Sequence, residues 1–172
     1  MFESSIRRVR LHFARIGLGY VIDNVKRISV VRQESYHDVR TGCIGLNPRD
    51  VTRPYAAVHR RPYLLIHELG HAFAETWLPR STRRRLAPLF GDYDAPYRRA
   101  PKPARADADH VSRYAMTHPA EDFAETFAVC LWRDWDGPGC ARLLRGKSGL
   151  LERKLAAVQA LLRANARRPV TR

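Results

Sequence analysis

Nowhere in its 172 residues does the chain approach the roughly 18 consecutive apolar residues of a membrane-spanning helix. Cysteine is scarce. Cys43, Cys130 and Cys140 are odd in number, far apart and without a C-x-x-C pair, which excludes a disulfide framework and a zinc site built from cysteine. The first residues have no signal-peptide core, because Arg7, Arg8, Arg10 and Arg15 interrupt the apolar positions between Met1 and Tyr20. These absences predict a reduced, cytoplasmic chain with no membrane span, and they leave open export by a route without a cleaved signal. Lysine is nearly missing too: Lys26, Lys102, Lys147 and Lys154 stand among 31 basic residues, and the rest are arginine.

Acidic residues are in deficit, 17 against 31 basic, for a formal net charge of +14. The imbalance lies at the ends. Residues 1–66 carry 12 basic and 5 acidic groups and residues 139–172 carry 9 and 1, whereas residues 67–138 carry 10 and 11. The basic ends fit an arginine-rich coding bias, or a nucleic acid, anionic surface or acidic partner. Chemistry in the neutral middle does not rest on bulk positive charge. Hydrophobic residues at 45% and charged residues at 28% are a globular balance, and the length predicts a single domain over 1–172.

Ile6, Val9, Phe13, Ile16 and Tyr20 recur at helical spacing and predict one amphipathic N-terminal helix. Arg27–Gln33 and Thr41–Leu46 predict strands, so residues 1–58 hold a helix and a small sheet. Gly42 and Gly45 in the second strand suggest close approach of another backbone. A long helix is expected over 59–78, with Pro62 in its first turn and Pro79 as its stop. The Pro- and Arg-rich stretch 79–113 predicts a loop or lid with a short helix near Thr82–Leu89. Pro119 starts a helix over 119–135, which Gly137-Pro138-Gly139 ends, and Leu151, Leu155, Val158 and Leu162 mark a last helix over 149–165.

Inside the 59–78 helix lies His67-Glu68-Leu69-Gly70-His71. Residues four apart on a helix face the same way, so His67 and His71 can converge on one ion while Glu68 sits beside it, placed to take a proton from metal-bound water. A chain with 7 His and as many Glu would show this pattern by accident roughly 0.01 times. A surface helix with chance histidines would not carry Tyr63, Leu64, Leu65, Ile66, Leu69, Ala72 and Phe73 around them.

A catalytic zinc takes three protein ligands and keeps one position open. Glu121 and Glu125 share one helix face at four-residue spacing, and two half-buried carboxylates repel unless a cation or donor lies between them. Coordination by Glu121, with Glu125 accepting the outer N–H of a ligand histidine, resolves this. Glu125 or Asp122 as third ligand stays open at this point. Tyr114, a phenol protonated at neutral pH, suits donation to a developing oxyanion or plain packing. Of the other histidines, His118 is expected at the N-cap before Pro119, His110 at the cleft, and His12, His37 and His59 in surface or packing roles.

The pairing of HELGH with the later run Y-A-M-T-H-P-A-E-D-F-A-E-T-F-A resembles the gluzincin-type zinc metallopeptidases. More narrowly it resembles the bacterial zinc-binding metallopeptidases and the lethal-factor-like and Pro-Pro endopeptidase clan, where a tyrosine precedes the ligand glutamate by seven positions, as Tyr114 precedes Glu121. The resemblance covers about 65–78 and 111–131. It implies a zincin-like α+β fold, mainly helical, with the small N-terminal sheet packed on the active-site helix. It implies Zn2+ held by His67, His71 and Glu121, Glu68 as base, Tyr114 as transition-state stabiliser and Glu125 supporting a ligand histidine.

The expected function is therefore zinc-dependent hydrolysis of a protein or peptide substrate. The substrate is expected to lie extended along the sheet edge, with Cys43-Ile44-Gly45 as rim. Two alternatives have their own motifs. A nucleic-acid-associated protease of the SprT-like kind also pairs this helix with basic surfaces, but takes a histidine as third ligand soon after the motif, and here the next histidine is His110. A non-catalytic zinc-binding interaction module would have no use for Glu68 and Tyr114.

Overall fold

In the computed structural model, residues 3–51, 61–98, 108–135 and 137–166 are described. His59, the exact start of the second helix, Pro101, Lys102, Pro103 and Asp136 lie outside them. Helix α1 (Glu3–Arg15) buries Val9 and Phe13, as its spacing predicts. The apolar stripe does not run on to Tyr20 in one helix. Gly17 turns the chain at φ 76°, the N–H of Leu18 bonds the carbonyl of Phe13 at 2.7 Å, and a short α2 (Gly19–Asp23) follows.

The sheet has three strands, β1 (Arg27–Val30), β2 (Tyr36–Asp38) and β3 (Cys43–Leu46), in the order β1-β3-β2. β3 pairs parallel with β1 and antiparallel with β2, so Cys43-Ile44-Gly45 is the middle of the sheet and not its rim. Among the described residues the unpaired edges belong to β1 and β2. The two glycines also act differently from expectation. Gly42 makes the turn at φ 66°, and Gly45 lies across from Tyr36, whose ring occupies the space a Cβ would need.

Helix α3 (Arg61–Ala72) continues as a π-turn, Phe73–Trp77, before Pro79. The stretch expected as loop or lid is in good part α4 (Arg80–Phe90), closed by Gly91 at φ 95°. Helix α5 (Pro119–Trp132) starts with Pro119 in its first turn and His118 as N-cap, the His118 side chain accepting the N–H of Ala120 at 3.1 Å. Residues 137–139 do not simply end it, because Pro138 lies in the first turn of a further helix, α6 (Gly137–Leu144). α7 spans Gly149–Asn165, the range its leucine spacing predicts, with Ser148 capping the N–H groups of Leu150 and Leu151.

This is an α+β fold, mainly helical, with a small sheet N-terminal to most of the helices. One apolar cluster runs from Val9 and Phe13 through Ile44 and Leu46 to Leu65, Ile66 and Leu69, then to Phe123, Phe127 and Val158. α3 lies at its centre and packs mainly on α5, with the sheet and α1 on its other sides. Among the described residues no helix is long and apolar enough to cross a membrane.

Candidate metal centre

α3 is apolar on nearly every side because it is the central element of the core: Tyr63, Leu65, Ile66 and Leu69 are fully buried. A helix so placed brings its polar residues inside with it. His67 is 4% exposed and Glu68 3%, and such groups are costly without partners. α5 supplies partners from Glu121 and Glu125, 4% and 1% exposed. The helices meet closely at Gly70, where a Cβ would lie 3.1 Å from Cα of Ala124 and 3.2 Å from the ring of Phe127. A side chain there would require its neighbours to give way by a few tenths of an ångström.

The result is a tight triangle. Nε2 of His67 lies 3.2 Å from Nε2 of His71, and Oε2 of Glu121 lies 3.2 Å from the first and 3.1 Å from the second. Four-coordinate zinc with bonds of about 2.0 Å sets its ligand atoms roughly 3.3 Å apart. The three atoms therefore fit one such ion, and His67, His71 and Glu121 form a buried group able to hold it. Among the described residues no other group of three His, Cys, Asp or Glu converges in this way.

The surrounding groups hold the triangle in place. Oε1 of Glu125 is 3.0 Å from Nδ1 of His67, an ion-pair distance whose alignment falls short of a hydrogen bond, while the Tyr63 hydroxyl donates to Oε2 of Glu125 at 3.3 Å. The Tyr97 hydroxyl donates to Oε1 of Glu121 at 2.8 Å. Tyr97 is itself stacked on His118, ring centroids 4.0 Å apart, and Nε2 of His118 bonds the carbonyl of Ala95 at 2.7 Å. Tyr114 has its ring 5.9 Å from that of His67 and remains 42% exposed, on the open side of the cluster.

Charge distribution follows from this packing. Burial alone would lift the Glu121 carboxyl, but the hydrogen bonds and charges of His67 and His71 outweigh it and hold the group well below the ordinary carboxylate range. Burial would lower His67, yet Glu121 and Glu125 outweigh it and raise the imidazole well above its usual value. Glu68 has no such close donor. Burial raises its pKa, against the opposing charges of His67 and His71, which makes it a better proton acceptor than an exposed glutamate. Burial, then Glu121 and Glu68, push Tyr114 above the phenol range, so it keeps its proton.

Two groups beside the site have no counterpart in the sequence reading. Tyr97 sits in a Pro- and Arg-rich stretch with no periodicity to mark it. His37, expected at the surface or in packing, bonds Oε2 of Glu75 through Nδ1 at 3.0 Å and lies within electrostatic reach of Glu68. It brings β2 against the turn that follows His71. His110, expected at the cleft, lies instead 3.6 Å from Asp122, which points away from the cluster toward Lys154.

The fold elements that build the triangle, α3 through α5, also carry a recognisable pattern. Residues 63–133 match the family model described as "Putative zinc-binding metallo-peptidase". That match spans both helices of the cluster and agrees with the resemblance carried by HELGH and the Glu121 run. No curated protein and no solved structure matches the chain. The N-terminal helix and sheet, α6 and α7 lie outside the matched range.

Proposed function

We propose that the chain is a zinc-dependent metallopeptidase of the gluzincin type. The observation that carries this reading is the convergence of Nε2 of His67, Nε2 of His71 and Oε2 of Glu121 within 3.2 Å of one another, beside a buried glutamate. His67, His71 and Glu121 are the proposed ligands. Glu125, 3.0 Å from the outer nitrogen of His67, would favour a proton on that nitrogen and leave Nε2 to face the cluster. A zinc ion held there supplies a Lewis acid and lowers the pKa of water toward about 7.

The residues divide the remaining work. Glu68, with its raised pKa, accepts a proton from the attacking water and delivers it to the leaving amine. Tyr114 stays protonated and donates to the developing oxyanion from the open side. An extended substrate adds to the unpaired edge of β2, which His37 and Glu75 hold against the end of α3. The N-terminal helix and sheet and the C-terminal helix belong to the same catalytic unit, since they share its core.

Digestion of a peptide library by the zinc-loaded chain, with a chelator control and the Glu68→Gln variant, tests the reading. Glu68→Gln keeps one zinc and loses roughly 10²–10⁴-fold in turnover. Wild-type-like turnover in that variant rejects the mechanism. Zinc binding with no cleavage by the wild type leaves a non-catalytic zinc-binding module in its place.

A further inference from the structure

Beyond the cluster, a groove of about 940 Å³ opens from His71 and Tyr97 along α4. Arg80, Arg83, Arg84 and Ala87 line it from one helix face, at the three- and four-residue spacing that such a face requires. Three carboxylates also line the groove, and each has a partner. Glu75 bonds His37 at 3.0 Å, Asp94 pairs with Arg80 at 3.8 Å, and Asp92 accepts the N–H of Asp94 at 3.0 Å. Arg83 and Arg84 are left over. Among the described residues neither pairs with a carboxylate, although Arg83 is half-buried and lies within electrostatic reach of the Tyr93 phenol.

The lining sets three arginines against three carboxylates, and Arg83 and Arg84 are the two guanidinium groups in it without a carboxylate partner among the described residues. Residues 67–138 as a whole carry 10 basic and 11 acidic groups, so no general basic field explains these two uncommitted guanidinium groups on one wall of the groove. A guanidinium is a rigid fork of donors that matches a carboxylate, and partial enclosure strengthens the bond relative to open water. Tyr97 and His118, stacked on one another, give the groove a flat floor that leads from this wall to Glu121.

We propose that this groove is a substrate subsite that selects a carboxylate, held by Arg83 and Arg84, on the peptide being cleaved. The proposal rests on the peptidase reading above. The carboxylate is either an acidic side chain or the terminal carboxylate of a short peptide, and the same two guanidinium groups read both.

The test uses the full zinc-loaded chain and peptides that carry Glu or Gln in turn at each position within four residues of the scissile bond, each with a free or an amidated C-terminus. One acidic position, or the free terminus, raises kcat/KM about tenfold over its amide counterpart, the effect of one charge-assisted contact. Arg83→Gln combined with Arg84→Gln abolishes that difference, and Arg83→Glu with Arg84→Glu turns it toward a Lys peptide. Arg85→Gln, on the same helix but outside the groove lining, keeps it. Equal cleavage of every Glu and Gln pair, and of free and amidated termini, overturns the assignment, as does a preference that survives in the double Gln variant. If no peptide is cleaved, the peptidase reading fails by itself. Fluorescence anisotropy of the same labelled peptides then still decides the groove: tighter binding of the carboxylate peptides, lost in the double variant, supports it, and equal binding overturns it.

Discussion

Tyr97 donates a 2.8 Å hydrogen bond to Oε1 of Glu121, while Oε2 of the same carboxylate faces both His67 and His71. The phenol ties down one oxygen and leaves the other for the metal. It thereby favours one-oxygen coordination and a fixed carboxylate plane. Replacing it with phenylalanine keeps the stack on His118 and removes only the donor. Tyr97→Phe should weaken zinc binding about 10–100-fold, the range for groups that orient a metal ligand. Competition against a chromophoric chelator measures it, and unchanged affinity would show that the bond positions nothing.

Glu121 itself should matter more. Glu121→Ala removes one of three proposed ligands and leaves His67 and His71 facing each other at 3.2 Å. The variant should not retain zinc through gel filtration, as read by metal analysis of the eluted protein. Stoichiometric zinc in that variant would transfer the ligand role to Glu125 or Asp122.

At Gly70 the packing of α3 on α5 is too tight for a methyl group unless its neighbours shift by a few tenths of an ångström. A Cβ would stand 3.1 Å from the backbone of Ala124, which cannot move aside as a flexible side chain would. Gly70→Ala gains helix propensity of up to ~1 kcal/mol and meets overpacking of ~1–3 kcal/mol. The net should be lower stability, with weaker zinc binding because Glu121 moves away from the histidines. Urea unfolding of the metal-free variant and zinc titration check both parts. A more stable variant with intact affinity would contradict the close contact.

His12 gives a pH dependence independent of the metal. It is 5% exposed against Trp135, ring centroids 4.9 Å apart, with Asp134 3.8 Å away and Arg15 bonded to its other nitrogen at 3.2 Å. Burial lowers its pKa, and the attraction of Asp134 does not make up the difference against Arg15 and Arg8. The unfolded chain therefore binds this proton more readily than the folded one. Its contribution to stability is complete above the ordinary histidine value near 6.5 and is lost as the pH falls through the folded value. Melting temperatures taken from pH 7.5 to 5 on metal-free protein should fall, and His12→Gln should flatten that slope. An identical slope would assign it to other groups.

Much of the candidate site was legible because its logic is helical. His67, His71, Glu121 and Glu125 repeat at four-residue spacing, and that period survives any tertiary arrangement. Tyr97 was not legible, since its role depends on a contact across 24 residues made from a stretch without period. Lys154 left a signal that the leucine spacing hid. Leu151, Lys154, Val158 and Leu162 are the buried stripe of α7, with Leu155 only half-buried, so a lysine takes the place in the stripe that Leu155 was expected to hold. The break at Gly17 was masked by apolar spacing that continues through it, and β2 was too short at three residues to carry a strand pattern. α6 escaped because Pro138 in the first turn of a helix looks like the terminator of the one before.

Lys154 reaches Oδ2 of Asp122 at 2.7 Å and the carbonyl of Asp109 at 2.8 Å, and both charged residues are 1% exposed. Lys154→Met leaves Asp122 buried, with only His110 near it at 3.6 Å, and should cost ~3–5 kcal/mol. Adding Asp122→Leu should recover most of that loss, because a buried pair replaced by apolar groups is close to neutral. Urea midpoints of the two variants decide it. A double variant no better than the single one would show that the lysine acts by packing.

That ion pair has a consequence for the order of events at the ribosome. Synthesis runs from the N-terminus, so α3 and α5 emerge with both histidines and Glu121 while Lys154 is still to be made. Until it arrives, the Asp122 carboxylate on α5 lacks both its lysine partner and the helix that carries it. Asp122 therefore reaches its paired, buried state only once α7, a helix outside the family match, has packed on α5.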